Sequence, residues 1–221
     1  MQKVTTVFFD LDGTILDSEK YFNYFWRQSV EVFGYRMTTE QALQMRSLGK
    51  PFAEELLKQW YGDGFDYQAV REYRHKQMSE YFSERKMEVK EGAEDCLIRL
   101  SGNNYQVVLV TSATEMKAAE QLRKVGLYKY FSQIVSVTSV ERGKPDPSVY
   151  LLACMLTKKE PEECVAVEDA PNGVLSAVRA GIRTIMIPDL SQPDEALRKM
   201  IFAVLPSLHE VPKIIEEIDR S

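Results

Sequence analysis

Histidine and cysteine are scarce in this chain, and each scarcity removes a class of chemistry. The two histidines, His75 and His209, are too few and too far apart for a histidine-rich metal centre or a histidine relay. The three cysteines, Cys96, Cys154 and Cys164, form no Cys-x-x-Cys pair and sit in apolar or helical surroundings. They read as reduced packing residues, not as a zinc ribbon or a disulfide framework. No apolar run approaches the roughly 20 residues of a membrane span, and no basic segment followed by an apolar stretch opens the chain. A cytoplasmic protein with no membrane partner is therefore expected. Charge of one sign is lacking too. The 28 Lys and Arg oppose 33 Asp and Glu, and a net charge of -5 speaks against a nucleic-acid platform. Flexible linkers, low-complexity tracts and internal repeats are missing as well, so the 221 residues are expected to form one core with room for a modest insertion.

What the chain does contain is a short apolar run, VFF at residues 7–9, that breaks into DLDGT at residues 10–14. Such a run bounded by Asp and Gly suits a buried strand of a parallel sheet. Ligands of open α/β sheets collect at the carboxyl ends of strands, and extended geometry sends side chains i and i+2 the same way. Asp10 and Asp12 are thus expected side by side in a binding crevice. Two adjacent carboxylates repel unless a cation or a proton intervenes. Gly13 permits a sharp turn, and Thr14 is expected to tie it with its hydroxyl. Taken alone, Asp-x-Asp-Gly is more often a strand followed by a turn, so its meaning depends on the rest of the chain.

Ser18 is expected to cap an amphipathic helix with Phe22, Phe25, Trp26, Val30 and Phe33 at helical spacing, ended by Gly34. Further helical patterns lie around residues 52–60 and 70–82, with no strand between them. Strand-helix alternation then resumes. Residues 18–89 therefore read as an all-helical insertion into an α/β core of residues 1–17 and 90–221. Later strands are expected at residues 107–110, 134–137, 165–167, 184–187 and 202–205.

Four strands end in chemistry: Asp10 and Asp12, then Thr111 and Ser112, then Lys144 on the loop after the third, then Glu168 and Asp169. Ser112 or Thr114 can cap the helix that follows, whose N–H groups point at an anion. A carboxylate cluster with one Lys and hydroxyl donors is what phosphoryl transfer with a divalent metal requires. Mg²⁺ takes one or two carboxylates besides water and phosphate oxygens, a share Asp10 and Asp169 can supply. Lys144 and the metal together would offset the charge of the moving phosphoryl group. Each piece alone has a plainer meaning: a helix cap, a surface turn, a helix-end charge.

Taken in order, FFDLDGTILDS, VVLVTSAT, GKPDP and VEDAPNG resemble the four motifs of the haloacid dehalogenase superfamily, on its phosphatase side, and the resemblance covers the whole chain. The spacing resembles the subgroup with a helical cap between the first two motifs, which holds phosphoglycolate phosphatase-like and beta-phosphoglucomutase-like proteins. It implies an α/β fold, a Rossmann-like parallel sheet core with an inserted all-helical cap domain, and Mg²⁺ as cofactor.

Carried over by residue, the resemblance makes Asp10 the nucleophile and Asp12 the acid/base. Thr111, with Ser112 beside it, would bind the phosphoryl group, and Lys144 would bridge phosphate and Asp10. The implied metal ligands are the carboxylates of Asp10 and Asp169 and the main-chain carbonyl of Asp12. Glu168 would join them through water or from behind, or be only a helix-end charge. Dehalogenases of the superfamily lack the second Asp, so Asp12 points away from that chemistry. In the cap, RSLGKP at residues 46–51 resembles the loop that carries specificity residues. Arg46 and Lys50 are the expected substrate contacts, solvated surface charges being the alternative.

The activity implied is Mg-dependent hydrolysis of a small phosphomonoester metabolite through an aspartyl-phosphate, by a monomer. The alternatives are a sugar-phosphate mutase of the beta-phosphoglucomutase type, a phosphonate-cleaving relative using Lys50, and a non-catalytic binding protein on the same fold. Where such mutases carry a histidine, ten residues beyond the second aspartate, this chain has Phe22, which cannot carry a proton.

Overall fold

A computed structural model describes residues 3–220, so residues 1, 2 and 221 at the ends of the two expected core segments lie outside the described residues. All four residues of β1 (Thr6–Phe9) are buried, and a strand covered on both faces belongs inside a parallel sheet. Four helices follow it: α1 (Glu19–Val32), α2 (Thr39–Gln44), α3 (Phe52–Tyr61) and α4 (Tyr67–Tyr81). Alternation then resumes with α5 (Ala93–Gly102), β2 (Gln106–Thr111), α6 (Glu115–Lys124), β3 (Gln133–Ser136) and α7 (Ser148–Thr157). It continues through β4 (Cys164–Glu168), α8 (Pro171–Arg179), β5 (Arg183–Met186), α9 (Glu195–Met200), β6 (Ala203–Val204) and α10 (Val211–Arg220).

The six strands form one sheet in the order β3-β2-β1-β4-β5-β6, and every pairing is parallel. Phe9 pairs with Leu109 on one side and Val167 on the other. Side chains alternate between the faces. Val7, Phe9, Leu109 and Val167 join residues of α5, α6 and α10 in one apolar cluster, while Phe8, Val108, Val110 and Ala166 join α7 and α8 in another. The fold class is the one expected, an α/β core of Rossmann-like order with helices inserted after its first strand.

The inserted helices pack a cluster of their own, including Trp26, Val30, Met45, Leu57 and Val70. Two antiparallel crossings join them to the core: the Asp17 amide donates to Glu88 O at 2.9 Å and the Lys90 amide to Ile15 O at 2.9 Å. The helical layer is also seated on the core through residues 46–50. Gly49 N donates to Lys144 O at 2.8 Å, and Gly143 N returns a bond to Lys50 O at 2.8 Å. This approach requires two glycines, because a Cβ on Gly49 would lie 2.6 Å from Gly143 Cα.

Two helices escape the sequence pattern. α2 and α9 are six residues each, too short for a period to show. Their signal is the cap: Thr38 accepts from Gln41 N at 3.2 Å while Gln41 bonds back to Thr38 N at 2.9 Å, and Asp194 accepts from Leu197 N at 2.7 Å. β3 starts one residue before the expected segment, and β6 is half its expected length. The cysteines are buried and free. Among the described residues no helix is long and apolar enough to cross a membrane.

Candidate active site

The order of strands reverses at β1 and β4, and ligands of open parallel sheets lie at the carboxyl ends there. Asp10 directly follows β1, its amide bonded to Val167 O at 3.1 Å. The carboxylate is 2 % exposed; its Oδ1 accepts from Lys144 Nζ at 2.7 Å and its Oδ2 has no partner. The chain then turns through Gly13 at φ 84°, a left-handed conformation that favours glycine. A Cβ there would sit 2.3 Å from Asp169 Oδ2, so Gly13 is what lets the first motif close over the fourth.

Two local expectations fail at this turn. Thr14 does not tie it: its hydroxyl is buried without a partner, and backbone bonds from Gly13 N to Leu16 O and from Ile15 N to Leu11 O close the loop instead. Ser18 stands at the start of α1 without capping it. Its hydroxyl donates to Asp12 Oδ1 at 2.8 Å, a carboxylate being a stronger partner than a helix N–H. Burial first, and then the charge of Asp10, push the Asp12 carboxyl up to about 7, against the pull of the Ser18 bond.

Lys144 is fully buried and spends all three protons: on Asp10 Oδ1 at 2.7 Å, Glu168 Oε1 at 2.7 Å and Val110 O at 3.0 Å. Burial works against its charge, but the two carboxylates outweigh it and hold its pKa above the ordinary lysine range. Glu168 Oε1 also accepts from Tyr150 Oη at 2.5 Å, whereas Oε2 has no partner. Gly173 makes room for that side chain, since a Cβ there would meet Glu168 Oε2 at 2.0 Å. Desolvation raises the Glu168 carboxyl to about 7 even with Lys144 opposing.

Asp169 is fully buried and neither of its carboxylate oxygens has a hydrogen bond. Burial above all, with Asp10 and Glu168 adding to it and Arg46 opposing, holds its carboxyl well above the usual range. Asp10, Glu168 and Asp169 bring one oxygen each to within 4.8 Å of one another. Burying several ionic oxygens without donors costs several kcal/mol each unless a cation meets them, so this all-oxygen set fits a hard divalent cation. The Asp12 carboxylate is outside that group.

The remaining expected residues divide. Thr111 ends β2 fully buried, and its hydroxyl accepts from Ala113 N at 3.0 Å, which leaves its proton free to donate. Ser112 donates to Ser47 O at 3.3 Å, and Thr114 is the cap of α6, accepting from Lys117 N at 3.4 Å. Arg46 is buried beside the carboxylate cluster: its Nη2 donates to Asp169 O at 3.1 Å and lies 3.5 Å from Asp169 Oδ2. Asn172 holds the Arg46 carbonyl at 2.8 Å. Lys50 lies at the cavity wall, its ammonium 5.9 Å from the Tyr67 ring.

Between the helical layer and the strand ends lies a cavity of about 730 Å³ with Asp10 and Asp12 on its floor. Sequence reasoning missed Glu19, Arg74 and Tyr150. Glu19 follows the first motif directly, is 3 % exposed and has an Oε2 without a partner. Arg74 and Tyr150 sit in helices whose patterns read as surface and core, so no local signal marked them.

The family described as haloacid dehalogenase-like hydrolase matches residues 7–187. The phosphorylated carbohydrates phosphatase of Thermotoga maritima is 32% identical over 181 residues, covering 81% of this chain and 82% of that protein. Beta-phosphoglucomutase of Bacillus subtilis is 26% identical over 214 residues, with 92% and 93% covered. The crystal structure of beta-phosphoglucomutase from Clostridium difficile superposes with a TM-score of 0.81 at 18% identity, covering 99% of this chain and 100% of that one, a likeness of fold.

Proposed function

The chain belongs to the haloacid dehalogenase-like hydrolases, and on that premise we propose that it is a Mg²⁺-dependent phosphatase hydrolysing a small phosphomonoester through an aspartyl-phosphate on Asp10, with residues 18–89 as the cap over the site. The observation that carries this reading is the division of labour between two carboxylates two residues apart. Asp10 Oδ1 is held by Lys144 while Oδ2 is unpartnered, and Asp12 is turned away onto Ser18 with its carboxyl raised to about 7. A group of that pKa can give a proton and take one back near neutrality.

Asp10 attacks phosphorus, the bond to the ester oxygen breaks, and Asp12 gives its proton to the departing alkoxide. Asp12 then takes a proton from the water that attacks the aspartyl-phosphate, which releases inorganic phosphate, frees the Asp10 carboxylate and returns Asp12 to its protonated form. Lys144 offsets charge on the phosphoryl oxygens and fixes Asp10, Thr111 donates its free hydroxyl proton, and the seated cap excludes bulk water. Asp10, Asp169 and the Asp12 carbonyl would hold Mg²⁺, with Glu168 behind them, and the ion supplies charge neutralisation at the phosphoryl oxygens when bound. Phe22 lies in the cavity wall, 5.4 Å from the Arg74 guanidinium. A phenyl ring can neither donate a hydrogen bond nor carry a proton, so the position where mutases of the beta-phosphoglucomutase type have a histidine offers nothing to act with Asp12, which favours the hydrolase over the mutase.

Phosphate release from a panel of sugar and organic-acid monophosphates, with Mg²⁺ and with chelator, tests this. Release that needs Mg²⁺ and vanishes in Asp10→Asn is expected. Release that persists near the wild-type rate in that variant or in chelator would sink the mechanism.

A further inference from the structure

The cap-side wall of the cavity carries positive charge that the reaction above does not use. Arg74 on α4 is 8 % exposed and lies over the Trp26 ring at 4.1 Å. Its Nη2 meets His75 Nε2 at 3.1 Å, its Nε has no partner, and among the described residues no carboxylate comes within ion-pair distance of it. Arg71, one turn earlier, and Lys117, across the cavity on α6, line the same wall and form no ion pair among the described residues either. These cations are close enough to act on one group. After burial itself, Arg74, Arg71 and Lys117 drive the His75 imidazole down to about 3, so His75 is neutral and can accept from Arg74.

Other lysines are paired, as Lys58 with Glu54 and Lys124 with Glu120, each at 2.8 Å. Three unpaired cations from two layers repel one another, and a buried guanidinium N–H left without an acceptor costs the desolvation of a charged donor. Among the described residues the carboxylates in this cavity form no ion pair with them, although Arg74 feels Glu19 and Asp12, and Glu120 feels Lys117. Asp10, Asp12 and Glu19 lie on the floor, Glu120 is engaged by Lys124, and Glu141 sits on the loop before Lys144.

Resting on the phosphatase reading, we propose that Arg74, Arg71 and Lys117 form a second anion subsite, and that the substrate is a phosphomonoester carrying another anionic group, a carboxylate or phosphate, at its far end. Arg74 feels the charge of Asp12 and Glu19 without bonding either, so the subsite faces the reacting carboxylates across the cavity and one small molecule can span both. Trp26 beneath the guanidinium at 4.1 Å and the His75 bond hold Arg74 at the wall, and its unpartnered Nε is a donor that suits a carboxylate or a phosphate.

Binding to the Asp10→Asn protein, measured by calorimetry with Mg²⁺, tests the subsite apart from turnover. The members of each pair differ in one anionic group: glycerol 3-phosphate against 3-phosphoglycerate, glucitol 6-phosphate against 6-phosphogluconate, and fructose 6-phosphate against fructose 1,6-bisphosphate. The charged member of at least one pair is expected to bind about tenfold tighter or more, and the pair that does so separates carboxylate from phosphate. Adding Arg71→Gln and Lys117→Gln should bring that ratio close to one, while Arg71→Lys with Lys117→Arg keeps most of it. Equal binding within all three pairs, or a ratio unmoved by the double Gln variant, overturns the subsite. Wild-type phosphate release is read separately: a charge preference without release overturns the phosphatase reading and leaves the subsite standing, and release without the preference does the reverse.

Discussion

Ser18 Oγ donates to Asp12 Oδ1 at 2.8 Å, so the residue just before α1 serves a carboxylate of the core and leaves its own helix uncapped. The bond stabilises ionised Asp12 and pulls its pKa down against burial. In Ser18→Ala the carboxyl should titrate at higher pH. The limb of the pH-rate profile that reports Asp12 is expected to move upward, with kcat down about tenfold at neutral pH as the group gives its proton to the departing alkoxide less readily. Helix content should be unchanged, because no helix N–H loses an acceptor. An unshifted profile would detach Ser18 from the acid/base.

Closure of the cap depends on Gly49 and Gly143, whose backbones exchange bonds through Lys144 O and Lys50 O at 2.8 Å each. Gly49→Ala puts a Cβ 2.6 Å from Gly143 Cα and should break both bonds. Because Lys144 lies on the same loop, kcat/KM is expected to fall about tenfold or more for every substrate, the loss of two hydrogen bonds and of water exclusion. Cleavage by a protease within residues 46–51 should quicken in parallel. Wild-type kinetics together with wild-type cleavage would show that the seating does not matter to turnover.

His75 offers a test of electrostatics away from the buried carboxylate cluster. Its ordinary pKa of 6.5 is lowered to about 3 by burial and by Arg74, Arg71 and Lys117. Below pH 6.5 the unfolded chain takes a proton that the folded chain refuses, so the stabilisation is complete above 6.5 and is lost as pH falls toward 3. His75→Gln, which keeps an acceptor for Arg74 and does not titrate, should lose less melting temperature than wild type between pH 7 and 4.5. Parallel curves would mean that the imidazole is free to charge.

Much of this molecule is visible residue by residue. A strand buried on both faces declares itself as a continuous apolar run, and its end as the abrupt change from Phe9 to Asp10. The four strand ends that carry Asp10, Thr111, Lys144 and Asp169 are local features of this kind, and parallel topology delivers them to one edge whatever the details of packing. The long cap helices show by their period, whereas α2 and α9 are shorter than two turns and show only through their caps.

Other assignments depend on partners far along the chain. Ser18 reads as a cap until a carboxylate six residues back competes for its proton. Glu168 reads as a helix-end charge until Lys144 and Tyr150 both reach its Oε1. Arg46 reads as an exposed contact until the seated loop carries it to the carbonyl of Asp169, 123 positions away. Arg74 reads as one basic residue on a polar helix until Trp26 and the missing carboxylate give it a different role. Residue order sets what each group can donate, accept or charge, and which stretches bury themselves. Which of several equally capable partners a group receives is decided by the competition among groups brought within reach when cap and core close together, and that competition exists only in the folded chain.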